Sequence, residues 1–393
     1  MVILVVEDQE DLREIARFAL EGAGYEVVEP VAAHGDTLRP AVLALSYAAE
    51  QSAEDHIMST PSPLEQMDRI LTSYCILQAV GVVARLGIAD RIADRPQSVS
   101  QLALETSVNE LALRRLLRML IAMDIFNQDD TGRIGLAPLG ATLRSDAPGS
   151  ARDRAMYVTS PEMWTVWGQL TKCVETGRSG VEHAHGEEFY SFLSHTPGVA
   201  NIFDRFMSKT SEVHAQALVD AYDFSRFQNI VDVGGGQGRT LAAILTANPD
   251  VSGILFDRPE VLAGPCVIDD PGLIHRAKKV SGDMHVELPH GADCYLVKWV
   301  LADRDDARSI EVLRNCRSAM VDSAKVLVVD IPLPAGRPTE GPSSFDVRML
   351  YINGGGCLRE EKAYPALFDA AGLKLSRIIP TKSPNIVIEA VVA

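Results

Sequence analysis

At 393 residues the chain has room for two or three domains, and 47% hydrophobic side chains can fill more than one core. A formal net charge of −16 argues against nucleic acid or an anionic membrane surface, because phosphate recognition rests on cationic side chains. The six cysteines are scattered without a Cys-x-x-Cys pair, which fits reduced core thiols.

The chain opens with Val2-Ile-Leu-Val-Val6, the acids Glu7 and Asp8, an amphipathic stretch Asp11 to Glu21, and Gly24-Tyr-Glu-Val-Val28. This strand, helix, strand pattern resembles the start of a response-regulator receiver, where such an acidic pair holds Mg²⁺. No later strand ending in a phosphoacceptor Asp follows, and Ala41 to Ala53 is Ala-rich with helical spacing. Residues 1–45 are therefore expected to be a truncated receiver-like segment, too short for its own core, without phosphotransfer. The alternative is a docking piece for a partner.

His56 to Glu65, with Ser59, Pro61, Ser62 and Pro63, reads as a linker before an apolar helix from Ile70 to Leu86. Ser98-Val-Ser-Gln-Leu-Ala103 and Asn109 to Leu120 then form a helix-turn-helix pattern, and Phe126 to Gly135 a hairpin wing. Residues 46–150 thus read as a winged helix. Against DNA stand a single basic cluster, Arg114, Arg115 and Arg118, and the acids Asp129 and Asp130 in the wing. Leu113, Leu116, Leu117 and Leu120 offer more apolar surface than so small a module can bury alone, which predicts a homodimer. Residues 151–222 are a run of helices rich in aromatic and methionine side chains. Within it His183 and His185 lack a third ligand, so no metal is expected.

From residue 223 onward strand and helix alternate, with strands at Asn229–Val233, Gly253–Phe256, Lys278–Val280, Cys294–Val300 and Lys325–Asp330. Two further strands, Lys374–Ile379 and Asn385–Val392, close the chain without a helix between them, which predicts a terminal hairpin with one antiparallel strand. Val231-Asp-Val-Gly-Gly-Gly-Gln-Gly238 is a strand running into a glycine turn and then a helix, a corner where backbone N–H groups meet a ligand. Asp257 ends the next strand, about 20 residues on, the distance at which a carboxylate reaches a ribose. Gly282-Asp-Met284 supplies a second acid at a third strand end.

From about Tyr74 to Ala393 these motifs, with Phe256-Asp-Arg-Pro259 and Tyr295-Leu-Val-Lys-Trp-Val300, resemble the S-adenosylmethionine-dependent O-methyltransferases of the plant caffeate and bacterial polyketide or phenazine type. The resemblance implies an α/β fold, a class I methyltransferase sheet of seven strands over residues 223–393. It also implies that 46–150 is an α-helical dimerisation domain and that 151–222 roofs an acceptor pocket. Its cofactor would be S-adenosyl-L-methionine, held by Asp232, Gly234, Gly236, Asp257, Arg258, Asp283, Met284 and Lys298. Its acceptor, a small aromatic or polyketide-like molecule, would meet Trp164, Met207, Trp299, Asp346 and Met349.

One part of the pattern is absent. Where the family places a catalytic His in Lys-x-x-x-His-Asp-Trp, this chain has Ala302, and the Trp position holds Arg304. The Glu that orients that His, in Gly-Gly-x-Glu-Arg-Thr, is replaced by Leu358. The catalytic residue is therefore unassigned, and methylation by proximity is expected. Since the sulfonium is an activated donor, orientation alone can supply effective molarities of about 10⁵–10⁸ M. The alternatives are a repurposed cofactor-binding decarboxylase, hydroxylase or pericyclase, and a winged-helix and receiver regulator. With no apolar run near the roughly 20 residues of a membrane span, and no basic signal region at the acidic start, a cytoplasmic location is expected.

Overall fold

The computed structural model describes residues 61–393 and two short strands before them, β1 (Val2–Leu4) and β2 (Glu26–Val28). β1 and β2 pair in parallel, as the opening pattern requires, while the expected helices at 11–21 and 41–53 lie outside the described residues. The chain divides into two compact units, Met1–Ser73 and Tyr74–Ala393.

Helix α1 spans Pro63–Leu86 and begins seven residues before the expected start. Pro63 opens its first turn, where a missing N–H costs nothing. Ser62 N donates to Glu65 Oε2 at 2.7 Å while Glu65 N donates to Ser62 Oγ at 3.3 Å, a reciprocal capping box. By length and composition α1 could cross a membrane. Yet Glu65, Asp68, Arg69 and Arg85 interrupt it, and Ala79, Val83 and Ala84 pack in a protein core.

Helices α2 (Val99–Thr106) and α3 (Glu110–Ala122) follow, each N-capped by a side chain, Ser98 and Asn109 respectively. β3 (Phe126–Gln128) and β4 (Ile134–Leu136) form the antiparallel hairpin. Leu113, Leu117 and Leu120 are buried within this module, and Leu116 is half-buried. The expectation that these leucines form a dimer surface is corrected: α2, α1 and the hairpin already cover them. Exposed instead are Leu64, Met67, Ile70, Leu71 and Tyr74 along one end of α1.

Short helices lead on, among them α4 (Pro161–Trp167), α5 (Gly180–His185) and α6 (Phe189–His195), then the long α7 (Pro197–Ala221). The seven-stranded sheet comprises β5 (Asn229–Val233), β6 (Ser252–Asp257), β7 (Ala277–Ser281), β8 (Cys294–Lys298), β9 (Lys325–Asp330), β10 (Leu373–Pro380) and β11 (Ile386–Val392). Its order is β10-β11-β9-β8-β5-β6-β7, with β11 antiparallel to both neighbours and the other pairs parallel.

Near-continuous apolar strands are what a sheet covered on both faces demands. In β8, Tyr295 and Val297 face one core with α9 (Asp306–Ala319) and α11 (Tyr364–Ala370). Cys294 and Leu296 face the other core with α8 (Arg239–Ala247) and α7. Between β9 and α11, α10 (Glu340–Asn353) packs against α5. Parallel order around β5 brings the carboxyl ends of β5, β6, β7 and β8 to one edge, below α6 and α7.

Candidate active site

The turn after β5 is built from alternate glycines. Gly236 sits at φ 61°, left-handed backbone that a side chain resists, and the place of its missing Cβ is open space. Its N–H donates to Asp257 Oδ2 at 2.8 Å, and Arg258 N donates to Asp257 Oδ1 at 2.8 Å. The carboxylate at the end of β6 is thus tied to the glycine turn, and each oxygen keeps lone pairs for a further donor. Burial raises its pKa against these hydrogen bonds.

A cavity of about 1040 Å³ opens from this corner. Asp232, Gly234, Gly236, Asp257, Arg258, Asp283, Met284 and Lys298 all line it. Asp232 is 1% exposed and its Oδ2 has no hydrogen-bond partner. Burial pushes its pKa up to about 7, opposed by the Lys298 ammonium. Burial pulls Lys298 down to about 8, and its Nζ donates to Ser211 Oγ at 3.1 Å. Asp283 accepts from His285 N at 2.8 Å, a local turn that presents Met284 beside it.

Away from this corner the lining includes an aromatic and apolar cluster, Phe189 and Tyr190 from α6, Phe203 and Met207 from α7, and Ile352 from α10, with Glu188 and Asp204 beside it. Phe189 meets Phe203 edge-on at 5.2 Å. Met207 and Trp299 line the cavity. Trp299 holds a left-handed φ of 57°, rare for an aromatic residue. Its Nε1 donates to Asn385 Oδ1 at 2.8 Å, and the Lys298 ammonium lies 3.4 Å from its ring centroid.

Trp164, Asp346 and Met349 do not line this cavity, which corrects their placement. Trp164 is 38% exposed on α4. Asp346 accepts the Leu358 N–H at 2.7 Å and so fastens a loop. Met349 is buried one turn before Asn353, and it is Ile352, Asn353 and Gly354 at the end of α10 that reach the wall.

Ala302 and Leu358, the positions of the missing base and its orienting acid, are 2% and 4% exposed and neither lines the cavity. Asp303 does. It accepts from Tyr190 Oη at 2.5 Å and from Asn353 Nδ2 at 3.0 Å. Burial raises its pKa, against the Arg304 cation and the Tyr190 hydrogen bond.

Arg304, at the family's Trp position, donates to His285 Nε2 at 3.0 Å and to Val300 O at 3.0 Å. His285 Nδ1 lies 2.8 Å from Glu311 Oε2, so both ring nitrogens have partners. Behind the loop the buried Arg359 donates to Leu301 O at 2.7 Å, Arg304 O at 2.8 Å, Ser309 Oγ at 3.1 Å and Asp306 Oδ1 at 2.9 Å. Sequence reasoning missed Tyr190, Asp303, Asn353 and Arg359. The only local signals were the Asp after the base position and the Arg after the lost Glu. His183 Nε2 pairs with Thr176 Oγ1 at 2.9 Å, and His185 stacks on Phe192.

Residues 167–374 match the O-methyltransferase domain, and residues 68–146 match the O-methyltransferase dimerisation domain. The chain belongs to the O-methyltransferase family. Phenazine O-methyltransferase PhzM of Lysobacter antibioticus is 36% identical over 323 residues, 82% of this chain and 94% of that protein. The solved structure of LaPhzM superposes with a TM-score of 0.80 at 36% identity, covering 84% of this chain and 100% of that one. NcsB1, an O-methyltransferase from neocarzinostatin biosynthesis solved with S-adenosylmethionine and 2-hydroxy-5-methyl naphthoic acid, gives 0.73 at 30% identity, over 85% of this chain and all 100% of that one.

This enzyme is therefore an S-adenosylmethionine-dependent methyltransferase with the class I fold, and the regulator and non-methylating readings find no support. The site fits the cofactor on its own chemistry. An unpartnered buried carboxylate at Asp232 suits a cationic group, and Asp257 with the open face of Gly236 suits a ribose diol. When bound, the cofactor supplies an activated methyl group. This chain's residues have to orient the acceptor, keep water out and dispose of a proton.

Proposed function

We propose that the enzyme methylates a hydroxyl on a fused aromatic acceptor of naphthoate or phenazine type. The observation that carries this is the continuity of one cavity, from the acids of the cofactor corner to the lobe of Phe189, Tyr190, Phe203 and Ile352. NcsB1 with its naphthoic acid and PhzM with its phenazine support the acceptor class. In this reading Asp257 holds the cofactor ribose, Asp283 and Met284 border the adenosine, and Asp232 and Lys298 set the charge at the methionine end. Gly234 and Gly236 give backbone approach, and Arg258 closes the corner, its guanidinium 5.0 Å from the Tyr190 ring centroid. Met207 and Trp299 contact the acceptor.

No imidazole stands at residue 302, so orientation supplies most of the acceleration. The domain roles follow: dimerisation in 46–150, roof in 151–222, cofactor binding in 223–393, with the receiver-like 1–45 outside the chemistry. The working unit is a homodimer in the cytoplasm. The test is mass spectrometry of purified enzyme with S-adenosylmethionine and a panel of hydroxynaphthoates, hydroxyphenazines and their carboxylates. The expected outcome is one added methyl group on an acceptor, matched by S-adenosylhomocysteine. Cofactor binding without any methylated acceptor across the panel would overturn the reading.

A further inference from the structure

The roof and the loop after β8 meet at one carboxylate. Asp303 follows the position where the family's imidazole is missing, and it faces the aromatic lobe. Two donors from different helices fix its orientation, Tyr190 Oη on α6 at 2.5 Å and Asn353 Nδ2 at the end of α10 at 3.0 Å. Each carboxylate oxygen accepts one of them and keeps a lone pair free. The imidazole nearest this loop is engaged: His285 has Nε2 taken by Arg304 and Nδ1 by Glu311. Burial raises the Tyr190 phenol far above its ordinary range, so it acts as a donor.

Resting on the methyltransferase reading above, we infer that Asp303 is the catalytic base that receives the acceptor's hydroxyl proton. As the acceptor oxygen forms its bond to the methyl carbon, the carbon–sulfur bond breaks with its electron pair going to sulfur. The O–H proton passes to a free lone pair of Asp303, giving a neutral carboxylic acid that returns the proton to solvent after release. A base in this role supplies about 10²–10⁴-fold, and more effectively as its pKa nears the working pH. Burial moves Asp303 upward in that direction. The charged and titratable groups facing it are Arg304 on its own loop, Tyr190 on α6, Tyr157 beside the roof and Asp330 at the end of β9.

The test compares wild type, Asp303→Asn, Asp303→Glu and Tyr190→Phe with 1-hydroxyphenazine as the acceptor probe. In wild type, kcat rises with pH to a plateau, with the acid limb above the usual carboxylate range. Asp303→Asn should lose about 10²–10⁴-fold in kcat and the limb itself, with calorimetric cofactor affinity unchanged. Asp303→Glu should restore part of both. In Tyr190→Phe, losing a hydrogen bond to the carboxylate, the limb should move to higher pH.

A second readout needs no turnover. The visible absorbance of enzyme-bound 1-hydroxyphenazine is titrated without cofactor. A neighbouring carboxylate opposes phenolate formation, so Asp303→Asn should lower the pH at which the bound phenol ionises by about one unit or more. If wild type turns over while Asp303→Asn keeps its kcat, limb and phenol titration, Asp303 is not the base and only this inference falls. If wild type methylates no acceptor at all, the reading beneath it falls as well. Should Asp303→Asn fail to fold, the Tyr190→Phe limb decides: an unmoved limb overturns the role.

Discussion

Ala302 and Asp303 are neighbours in the chain with opposite surroundings. Ala302 is 2% exposed in packed protein, while Asp303 lies on the cavity wall with two hydrogen bonds. A histidine at 302 would have to displace its neighbours, and overpacking a core typically costs about 1–3 kcal/mol. Ala302→His alone is thus expected to lower the unfolding free energy measured in urea by that amount and to add no methylation of 1-hydroxyphenazine. A gain in turnover at unchanged stability would mean that the wall opens to residue 302. Pairing it with Leu358→Glu, as the family pattern suggests, adds a carboxylate at a position 4% exposed, so the double variant should be less stable still. The loss of the His–Glu pair was legible because both sit inside motifs of fixed spacing. Asp303 with Tyr190 was not, since 113 residues separate the partners and only the fold joins them.

At the scale of elements, sequence pattern identifies a face but not what covers it. The glycine turn, the acids at the ends of β6 and β7 and the closing hairpin were readable because backbone geometry demands those residue types at those positions. Leu113, Leu117 and Leu120 in α3 show helical spacing that reveals an apolar stripe, yet the stripe belongs to the module's own core. The surface left over is on α1, where Leu64, Met67, Ile70, Leu71 and Tyr74 are each more than half exposed or close to it, from 50% to 71%. Residues 68–146 match a dimerisation domain, and α1 overlaps it. Met67→Glu with Leu71→Glu should convert dimers to monomers by light scattering at micromolar concentration, with cofactor affinity largely kept. Dimers that persist in the double variant would place the interface elsewhere.

At the scale of the whole molecule, buried acids set opposing pH dependences. Glu389 on β11 is 1% exposed and accepts from Lys325 Nζ at 2.7 Å, Tyr222 Oη at 2.6 Å, Ser376 Oγ at 2.9 Å and Arg377 at 3.0 Å. The cluster ties β9, β10 and β11 to the residue just after α7. Burial alone would raise the pKa of Glu389, but these hydrogen bonds prevail and hold it down to about 2. With a folded value below the ordinary 4.5, its contribution is present above that pH and is lost as pH falls through about 2.

Asp232 and Asp330 do the reverse. Burial pushes both up from 3.8 to about 7, so the folded state holds protons that the unfolded chain has released. Their contribution is complete below the ordinary value and declines as pH rises to about 7. From these three groups, cofactor-free enzyme should be most stable near pH 4, with urea midpoints falling on either side. Asp232→Asn keeps the shape of the side chain and removes its charge, so it should flatten the decline between pH 5 and 7. Glu389→Gln should cost about 3–5 kcal/mol near pH 6, because two cations and a phenol lose a charged partner. That deficit should shrink as pH falls from 4.5 toward 2, where wild type loses the same carboxylate. A deficit of constant size across the acid range would show that packing, not the charge of Glu389, joins the sheet to the roof.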